Sequence, residues 1–234
     1  MTIDYNPKSQ LEKFGQKVFN LLVDNFPQTF YIGGMVRNIL LGKKITDIDI
    51  TTIATPDQVK KVLADGRILF SDQHQKFGVI AAKRGLLNVE IATFRKDLPN
   101  TGRYPKVVFV KTAKQDSQRR DFTVNALYFS PKTQNILDFH NGLKDIKFRR
   151  LKFIGNPEKR ITEDPLRIIR ALRFAQTLNL KLDVKTQAGI KRNFKLVNQL
   201  TKPRVKNELE KIQSQKHKNF IQTAIDKHHW LDTK

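Results

Sequence analysis

Two hydrophobic spacings alternate along the first part of the chain, and each predicts a different element. Residues 9–25 carry apolar side chains three or four positions apart, the spacing of a helix with one buried face. Short apolar runs bounded by Gly, Pro, Asn or Asp are typical of strands. We therefore predict strands at residues 30–32, 47–52, 78–83, 88–94, 107–110 and 136–139. We predict helices at residues 9–25, at residues 35–41 and from Pro56, which follows Thr55 in a typical helix start.

The pattern changes near residue 150. Beyond it, apolar positions keep a helical spacing, and we predict a mostly buried helix from about Thr162. Thr162 is its expected N-cap, with Pro165 in its first turn. Further helices are predicted at residues 184–200 and 203–213. The chain thus divides into a mixed α/β domain at residues 1–150 and an all-helical domain at residues 151–234.

The charge of the chain indicates an anionic partner. Its 234 residues include 44 Lys and Arg against 22 Asp and Glu, which gives a formal net charge of +22. A surplus of this size attracts polyanions, of which nucleic acid is the usual one. A ribosome-bound protein, or the Lys-rich composition of an A/T-rich genome, would give the same balance.

Composition also excludes several kinds of site and location. The chain has no cysteine, so it holds neither a disulfide nor a thiolate metal site. Its first residues lack the basic-then-apolar pattern of a signal peptide, and no apolar run approaches the roughly 20 residues that cross a bilayer. We therefore expect a cytoplasmic protein with no membrane partner, and the sequence predicts no particular protein partner.

A glycine pair followed by two aspartates carries the strongest chemical signal. Gly33 and Gly34 end an apolar run before a predicted helix, where backbone N–H groups can cradle a phosphate. Asp47 and Asp49 lie in a predicted strand, and side chains two positions apart in a strand point to the same face. They can hold one metal ion or two, and two ions roughly 3.5–4 Å apart stabilise both oxygens of a phosphoryl displacement. Alone, an Asp-x-Asp pair is common in turns and on solvated strands.

Two further residues are candidates to support such a site. Arg37, one turn into the helix after the glycines, can reach a bound phosphate or can be a surface residue. Glu90 sits in an apolar strand, where an unpaired buried carboxylate costs roughly several kcal/mol. It is a third acidic residue near the metals, a partner of an arginine, or a residue on the solvated face.

The segment RRDFTVNA at residues 119–126 combines adjacent arginines with a carboxylate. Arg120 and its neighbour can bind a triphosphate, while Asp121 holds one arginine in place. Asn125 can hydrogen-bond a sugar or the backbone. In isolation such a segment is a surface patch, but beside the glycine–aspartate segment it favours nucleotide binding.

The segment TEDPLRIIRALRFA at residues 162–175 offers a way to read a base. Asp164 and Arg167 are three positions apart, so they project on one side of a helix as an acceptor beside a donor fork. Cytosine and adenine each present an amino donor beside a ring-nitrogen acceptor, which this pair complements. Uracil and guanine present a carbonyl where the aspartate needs a donor. Arg170 and Arg173 continue the basic row; the alternative for this segment is a helix ion pair worth roughly 0.2–0.5 kcal/mol.

Together these segments resemble the bacterial-type (class II) tRNA nucleotidyltransferases, the CCA-adding enzymes, and the related bacterial poly(A) polymerases. The resemblance covers residues 28–213. It implies an α+β fold, in which a polymerase-β-like nucleotidyltransferase head with a mixed β-sheet is followed by an all-helical neck. It also implies a reaction in which the tRNA 3′-hydroxyl attacks the α-phosphate of CTP or ATP and pyrophosphate leaves.

The resemblance assigns roles to individual residues. Asp47 and Asp49 would be the catalytic carboxylates and would hold Mg²⁺. The residues expected to bind the incoming nucleotide are Gly33, Gly34, Arg37, Arg120, Asp164, Arg167, Arg170 and Arg173. Asp164 and Arg167 would be the protein template for C and A. Supporting roles are expected for Glu90, Arg103, Asp121 and Asn125, and charged positions of the family's last neck motif are matched by Arg204 and Glu208.

The chain departs from the family pattern in two segments and in its length. Asn38 stands where the family usually has Asp, and the loop at residues 96–103 is slightly shorter than usual. Relatives continue into helical body and tail regions that hold the tRNA. On this comparison the chain is either a fragment or a minimal enzyme whose basic surface replaces those regions.

Several activities fit the same three segments. The enzyme would add CCA, CC alone or A alone. A poly(A) polymerase is the first rival, although the segment HQKFGVI at residues 74–80 is more similar to the CCA-type strand. A non-catalytic basic RNA-binding module is the rival of another class, and the intact aspartate pair argues against it.

Overall fold

The chain folds into two compact units. The computed structural model describes residue 3 and residues 5–98 and 106–226. The first unit comprises Met1–Arg120 and Val124–Leu143, and the second comprises Asp121–Thr123 and Lys144–Lys234. Contacts therefore divide the chain after Leu143, whereas its hydrophobic pattern changes near residue 150. The assignment of functions to residues 1–150 and 151–234 stays a prediction.

The first unit contains both helices and strands. Its helices are α1 (Gln10–Asn25), α2 (Gly34–Leu40), α3 (Pro56–Asp65) and α4 (Ala113–Ser117). Its strands are β1 (Thr29–Ile32), β2 (Ile48–Thr52), β3 (Leu69–Ser71), β4 (Val79–Arg84), β5 (Leu87–Thr93), β6 (Arg95–Asp97), β7 (Val107–Phe109), β8 (Leu127–Ser130) and β9 (Asn135–Asp138). Short 3₁₀ turns occur at Gln75–Phe77 and Thr123–Asn125.

Seven of these strands form one mixed sheet, in the order β3-β4-β5-β2-β1-β8-β9. Strand β2 lies in its middle, antiparallel to β1 and parallel to β5. The register sets Asp49 of β2 between Ile32 of β1 and Glu90 of β5. Strands β6 and β7 pair with each other outside this sheet.

The core of the first unit fixes the face on which the acidic residues of β2 lie. Ile48 and Ile50 are at most 2% exposed, whereas Asp49 between them is half-buried. Helix α1 covers the isoleucine face, where a Cβ on Gly15 would come within 2.5 Å of Ile48 Cδ1. Alternation along the strand sends Asp49 to the opposite face. A slip of one residue would bury the acidic side chains in this core, so the register is strongly specified.

In the residues that the structure describes, the regular structure of the second unit is helical apart from one short pair of strands. Its helices are α5 (Gly142–Lys147), which crosses the division between the units, α6 (Pro157–Glu163), α7 (Leu166–Leu178), α8 (Val184–Asn193), α9 (Lys202–Glu210) and α10 (Gln215–Asp226). Strands β10 (Arg150–Leu151) and β11 (Lys181–Leu182) pair in parallel. A 3₁₀ turn at Phe194–Gln199 follows α8, so the helix predicted at residues 184–200 is interrupted at residue 193.

The helix predicted from Thr162 begins later than expected. Thr162 lies inside α6, where its Oγ1 donates to the Lys159 carbonyl, so its prediction as an N-cap was wrong. Asp164 has extended backbone angles (φ −153°, ψ 102°), and α7 begins at Leu166. Pro165 explains the break, because a proline disfavours the helical conformation of the residue before it. Asp164 Oδ1 accepts from the N–H of Leu166, the first residue of α7, at 3.1 Å.

None of the helices in the described part of the chain is both long enough and apolar enough to span a bilayer.

Candidate active site

The acidic pair lies at the start of β2. Asp47 immediately precedes the strand and Asp49 is its second residue, so the strand begins one residue later than predicted. Asp47 is exposed, and its Oδ2 accepts a hydrogen bond from Thr46 Oγ1 at 2.9 Å. Both carboxylates belong to the first unit.

Gly33 packs directly against Asp49. Its φ of 72° lies in the left-handed region that favours glycine. A Cβ at this position would come 3.0 Å from Asp49 Oδ2. The turn between β1 and α2 therefore touches the carboxylate of β2, and only glycine allows both the backbone conformation and this approach.

The Asp49 carboxyl lies where a charge is unfavourable without a cation. Burial raises its pKa, Glu90 and Asp47 add to this effect, and the pKa reaches about 6 although Arg120 and Arg37 oppose the shift. Glu90 contributes because it lies on β5 in register with Asp49, although its side chain is exposed.

This donor set fits a hard divalent cation. A cation beside Asp47 and Asp49 would favour the ionised carboxyl and so reverse the rise in pKa. Carboxylate oxygens suit Mg²⁺, which usually takes one or two of them and completes its shell with water and substrate phosphates. Among the residues that the structure describes, no three His, Cys, Asp or Glu side chains gather into a metal cluster.

Arg37 of α2 is buried and held by two amide side chains. Its Nη1 donates to Asn125 Oδ1 at 2.6 Å. Its Nε and Nη2 donate to Asn38 Oδ1 at 3.2 and 3.0 Å. Asn38 is fixed in turn, since its Nδ2 donates to the Lys44 carbonyl at 3.0 Å. Asn125 therefore orients Arg37, and Asn38 does so without adding a negative charge.

Arg120 is oriented by two residues that the sequence reasoning missed, Asp116 and Tyr128. Its Nη2 donates to Asp116 Oδ2 at 3.0 Å, and its Nε donates to the Tyr128 hydroxyl at 3.1 Å. The Tyr128 hydroxyl donates to the same Asp116 oxygen at 2.7 Å. The spacing held a signal for Asp116, because residues three and four positions apart on a helix are neighbours, as Asp116 is to Arg119 and Arg120.

The base-reading pair of the second unit has a different geometry from the one predicted. Asp164 lies between two helices, and its Oδ1 accepts from Arg204 Nη2 at 2.8 Å. Arg167 Nη1 donates to Glu163 Oε2 at 2.8 Å and to the Arg160 carbonyl at 2.6 Å. The i,i+3 ion pair that was the alternative for Asp164 and Arg167 is absent among the hydrogen bonds and ion pairs of the described residues.

Arg170 and Arg173 belong to a buried ionic network. Arg170 Nη2 donates to Asp121 Oδ2 at 2.6 Å, and its Nη1 donates to Glu208 Oε1 at 3.3 Å. Arg173 Nε donates to Glu208 Oε2 at 2.8 Å, and its guanidinium lies 4.0 Å from the centre of the Phe174 ring. The structure thus joins Asp121, Arg170, Arg173 and Glu208 within the second unit. Arg103, which was expected to support the site, lies outside the described residues.

Comparison with known families identifies the head. The model of the poly A polymerase head domain family matches residues 29–152, just over half of the chain. The chain belongs to this family. The segment that matches the poly A polymerase head domain contains the glycine pair, both aspartates and the whole arginine segment at residues 119–126.

Curated relatives carry two different names. A CCA-adding enzyme from Lactobacillus helveticus (strain DPC 4571) is 36% identical over 197 residues, which cover 83% of this chain and 48% of that protein. Poly(A) polymerase I from Salmonella typhi is 35% identical over 197 residues, which cover 79% of this chain and 42% of that protein. The chain spans about half the length of the curated relatives it matches, and identity alone does not separate the two names.

A solved structure extends the similarity beyond the head. The crystal structure of the Bacillus stearothermophilus CCA-adding enzyme in complex with CTP aligns with a TM-score of 0.77 at 30% identity. The alignment covers 87% of this chain and 49% of that one. The expected α+β class, with a mixed-sheet nucleotidyltransferase head and a helical part after it, is therefore confirmed.

Proposed function

We propose that this chain contains the head and neck of a tRNA nucleotidyltransferase, which adds C and A nucleotides, or one of them, to the tRNA 3′ end. The acidic pair at the start of β2, with Gly33 packed against Asp49, carries this assignment. CTP and ATP are the nucleotide substrates, tRNA is the acceptor, and the reaction belongs in the cytoplasm. The relative named a CCA-adding enzyme and the CTP complex of another such enzyme support this choice.

In this proposal Asp47 and Asp49 hold Mg²⁺. When bound, the ion supplies positive charge that activates the attacking hydroxyl and stabilises the leaving pyrophosphate. The protein contributes positioning and electrostatics, so no side chain acts as a nucleophile. Arg37 and Arg120 hold the triphosphate, and the amide and carboxylate partners of these two arginines keep them oriented before the nucleotide arrives.

Asp164 and Arg167 would read the base. Both hydrogen bonds to the Asp164 carboxylate use Oδ1, and both donated by the Arg167 guanidinium use Nη1. Among the hydrogen bonds of the described residues, none engages Asp164 Oδ2 or Arg167 Nη2. An acceptor and a donor therefore remain for the amino group and ring nitrogen of cytosine or adenine, and the carbonyl of uracil or guanine would meet the acceptor.

Transfer assays with defined acceptors test this function. The protein is incubated with Mg²⁺, with CTP, ATP or both, and with tRNAs that lack three, two or one of their 3′ nucleotides, and the products are sequenced. We expect C to be added to a tRNA that lacks the whole CCA end, and no incorporation by Asp47→Ala or Asp49→Ala variants that remain folded. Near-normal incorporation by Asp47→Ala would contradict the metal assignment.

Poly(A) polymerase activity is the second candidate, because a relative of that name is 35% identical. Tailing of any RNA with ATP and rejection of CTP would favour it. Extension only of a tRNA that already ends in CC would indicate an A-adding enzyme. Absence of Mg²⁺-dependent pyrophosphate release with every acceptor would leave the non-catalytic RNA-binding module.

A further inference from the structure

Asp116 lies at the centre of a cationic cluster in the first unit. It is 0% exposed. Its Oδ1 accepts from Arg119 Nε at 2.8 Å and from the Arg95 backbone N–H at 3.1 Å. Its Oδ2 accepts from Arg120 Nη2 at 3.0 Å and from the Tyr128 hydroxyl at 2.7 Å. One buried carboxylate thus joins α4, the start of β6, the arginine pair and β8.

The contacts on Arg120 fix the plane of its guanidinium. Asp116 takes Nη2 and Tyr128 takes Nε, which are the two nitrogens of one edge of the planar fork. The guanidinium carbon also lies 5.3 Å from the centre of the Tyr128 ring. Arg120 is near enough to Asp49 for its charge to lower the pKa of that carboxyl. A cation held in one orientation beside the acidic pair of β2 is preorganised for a triphosphate.

The Asp116 carboxylate keeps its charge in this setting. Burial alone would raise its pKa, but the charges of Arg120 and Arg119, with hydrogen bonds from Tyr128 and Arg95, outweigh burial and hold the pKa far below its usual range. The cluster nevertheless contains more arginines than carboxylates, so it stays attractive to a polyanion.

We propose that Asp116 is a positioning residue for the incoming nucleotide, because it holds Arg120, and with it Arg119, in the orientation that receives the triphosphate of CTP or ATP. This role rests on the proposed nucleotidyl transfer. Two other roles are open to a buried carboxylate here: a structural ion pair that does not affect the nucleotide, or a counter-ion that weakens the attraction between the arginines and phosphate.

The Asp116→Asn variant separates these roles by the sign of its effect. If Asp116 acts only as a counter-ion that partly neutralises the arginines, loss of its negative charge tightens nucleotide binding. If it positions Arg120, the amide weakens binding, because its NH₂ group faces a donor whichever way it turns and one arginine loses its acceptor. A purely structural role changes the unfolding temperature and leaves the affinity unchanged.

The experiment is a double-mutant cycle on CTP binding. Equilibrium dialysis without tRNA measures the Kd of CTP for the wild type, Asp116→Asn, Arg120→Ala and the double variant. We expect each single variant to raise the Kd about tenfold or more, and the double variant to be no weaker than Arg120→Ala, since residues that act through one contact are not additive. In the transfer assay, Asp116→Asn should raise the KM for CTP more than it lowers kcat.

An unchanged or lower Kd for Asp116→Asn, or additive effects in the double variant, would overturn the positioning role. Asp145→Asn is the matched control, because Asp145 is another buried carboxylate, 1% exposed, and accepts from Arg150 Nε at 2.6 Å in the second unit. It should lower the unfolding temperature without changing the Kd of CTP.

A second variant covers the case in which Asp116→Asn does not fold. Tyr128→Phe keeps the ring and removes the hydroxyl that joins Arg120 to Asp116, and we expect the Kd of CTP to rise about threefold. If the wild type binds neither CTP nor ATP, both the proposed function and this role are contradicted. Wild-type binding that neither variant weakens would overturn the positioning role alone.

Discussion

At Gly33 a carboxylate oxygen occupies the space that a side chain would need. The backbone has a φ of 72°, and Asp49 Oδ2 lies 3.0 Å from where a Cβ would be. An alanine there must strain its backbone and must also push the Asp49 carboxylate away. The two costs can be separated, because an alanine at Gly42 would strain its backbone in the same way but would meet no neighbouring atom.

We predict that Gly33→Ala lowers nucleotide incorporation by roughly 10- to 100-fold, since small displacements of catalytic groups are costly. Gly42→Ala is the control: Gly42 has a φ of 64°, and a Cβ there meets nothing within 4 Å. Both variants should lose about 1–3 kcal/mol of stability, because a backbone with positive φ is strained in any residue but glycine, as measured by urea unfolding. Equal losses of activity in the two variants would contradict a specific effect on Asp49.

Asp116 should make stability sensitive to acid. Its folded pKa is depressed below the value of about 3.9 for an unfolded aspartate. The stabilisation is therefore present above that pH and is lost as the pH falls toward the folded pKa. We expect the difference in free energy of unfolding between the wild type and Asp116→Asn to narrow from about pH 5 to about pH 3. Urea titrations at fixed pH measure it, and a constant difference would disprove the effect.

At the scale of elements, one buried carboxylate joins α9 to α7. Glu208 is 3% exposed, and its carboxylate accepts from Arg170 and Arg173 of α7. It also accepts from Lys211, at the end of α9, at 2.7 Å. Desolvation opposes its charge, but the three cations hold its pKa below the usual range. Loss of the carboxylate would leave two arginines without their shared counter-ion.

We predict that Glu208→Gln lowers the free energy of unfolding by about 2–3 kcal/mol, because breaking one partner of a buried ion pair leaves uncompensated charge. Glu210→Gln on the same helix is the matched control. Its carboxylate is 60% exposed and lies 3.8 Å from Lys206, so its loss should cost less than about 1 kcal/mol. Similar losses for both variants would rule out a special role of the buried glutamate.

The elements that sequence predicted well are those with local signals. Thr55 accepts from the Gln58 N–H and begins α3 with Pro56 at its first position, as the helix-start pattern indicated. Strand β2 was predicted because its isoleucines alternate with polar residues. Strand β3 was missed because it has three residues and two exposed apolar side chains, Leu69 and Phe70, which give no alternation.

The residues of the candidate site also divide into those that local sequence signals indicated and those that they did not. Spacing alone indicated Asp47, Asp49 and the glycine pair, because both depend on positions close in sequence. Tyr128, one partner of Arg120, was missed because it meets Asp116 only when α4 and β8 pack together. Asp116, the other partner, has a local signal, since it precedes Arg119 and Arg120 by three and four positions. Helical spacing placed Asp164 inside a helix, but its backbone is extended. The cause is Pro165, because a proline disfavours the helical conformation of the residue before it.

At the scale of the whole molecule, the main feature is the large positive net charge. The formal net charge is +22, and RNA is the partner that the proposed function gives to that charge. Each phosphate that the protein neutralises releases condensed counterions, so binding of RNA weakens linearly on a log–log plot against salt.

We predict that the affinity for a truncated tRNA falls steeply with salt, with a slope of roughly 0.7–0.9 per phosphate contacted. Fluorescence anisotropy of labelled tRNA at increasing KCl, without nucleotide, measures the slope. CTP, which has only one triphosphate, should show a much shallower dependence. A tRNA slope as shallow as that of CTP would mean that the basic surface does not bind the RNA backbone.

The chain passes between its two units three times, after Arg120, after Thr123 and after Leu143. The three residues Asp121–Thr123 find their partners far along the sequence, since Asp121 accepts from Arg170 at 2.6 Å and Thr123 donates to Asp145 at 2.7 Å. Neither unit is therefore one continuous stretch of the gene. A recombinant of two family members with its single junction between Thr123 and Asp145 would inherit this short segment from one parent and its partners from the other. We therefore expect the segment and its partners to change together among family members, even where the sequence between them varies.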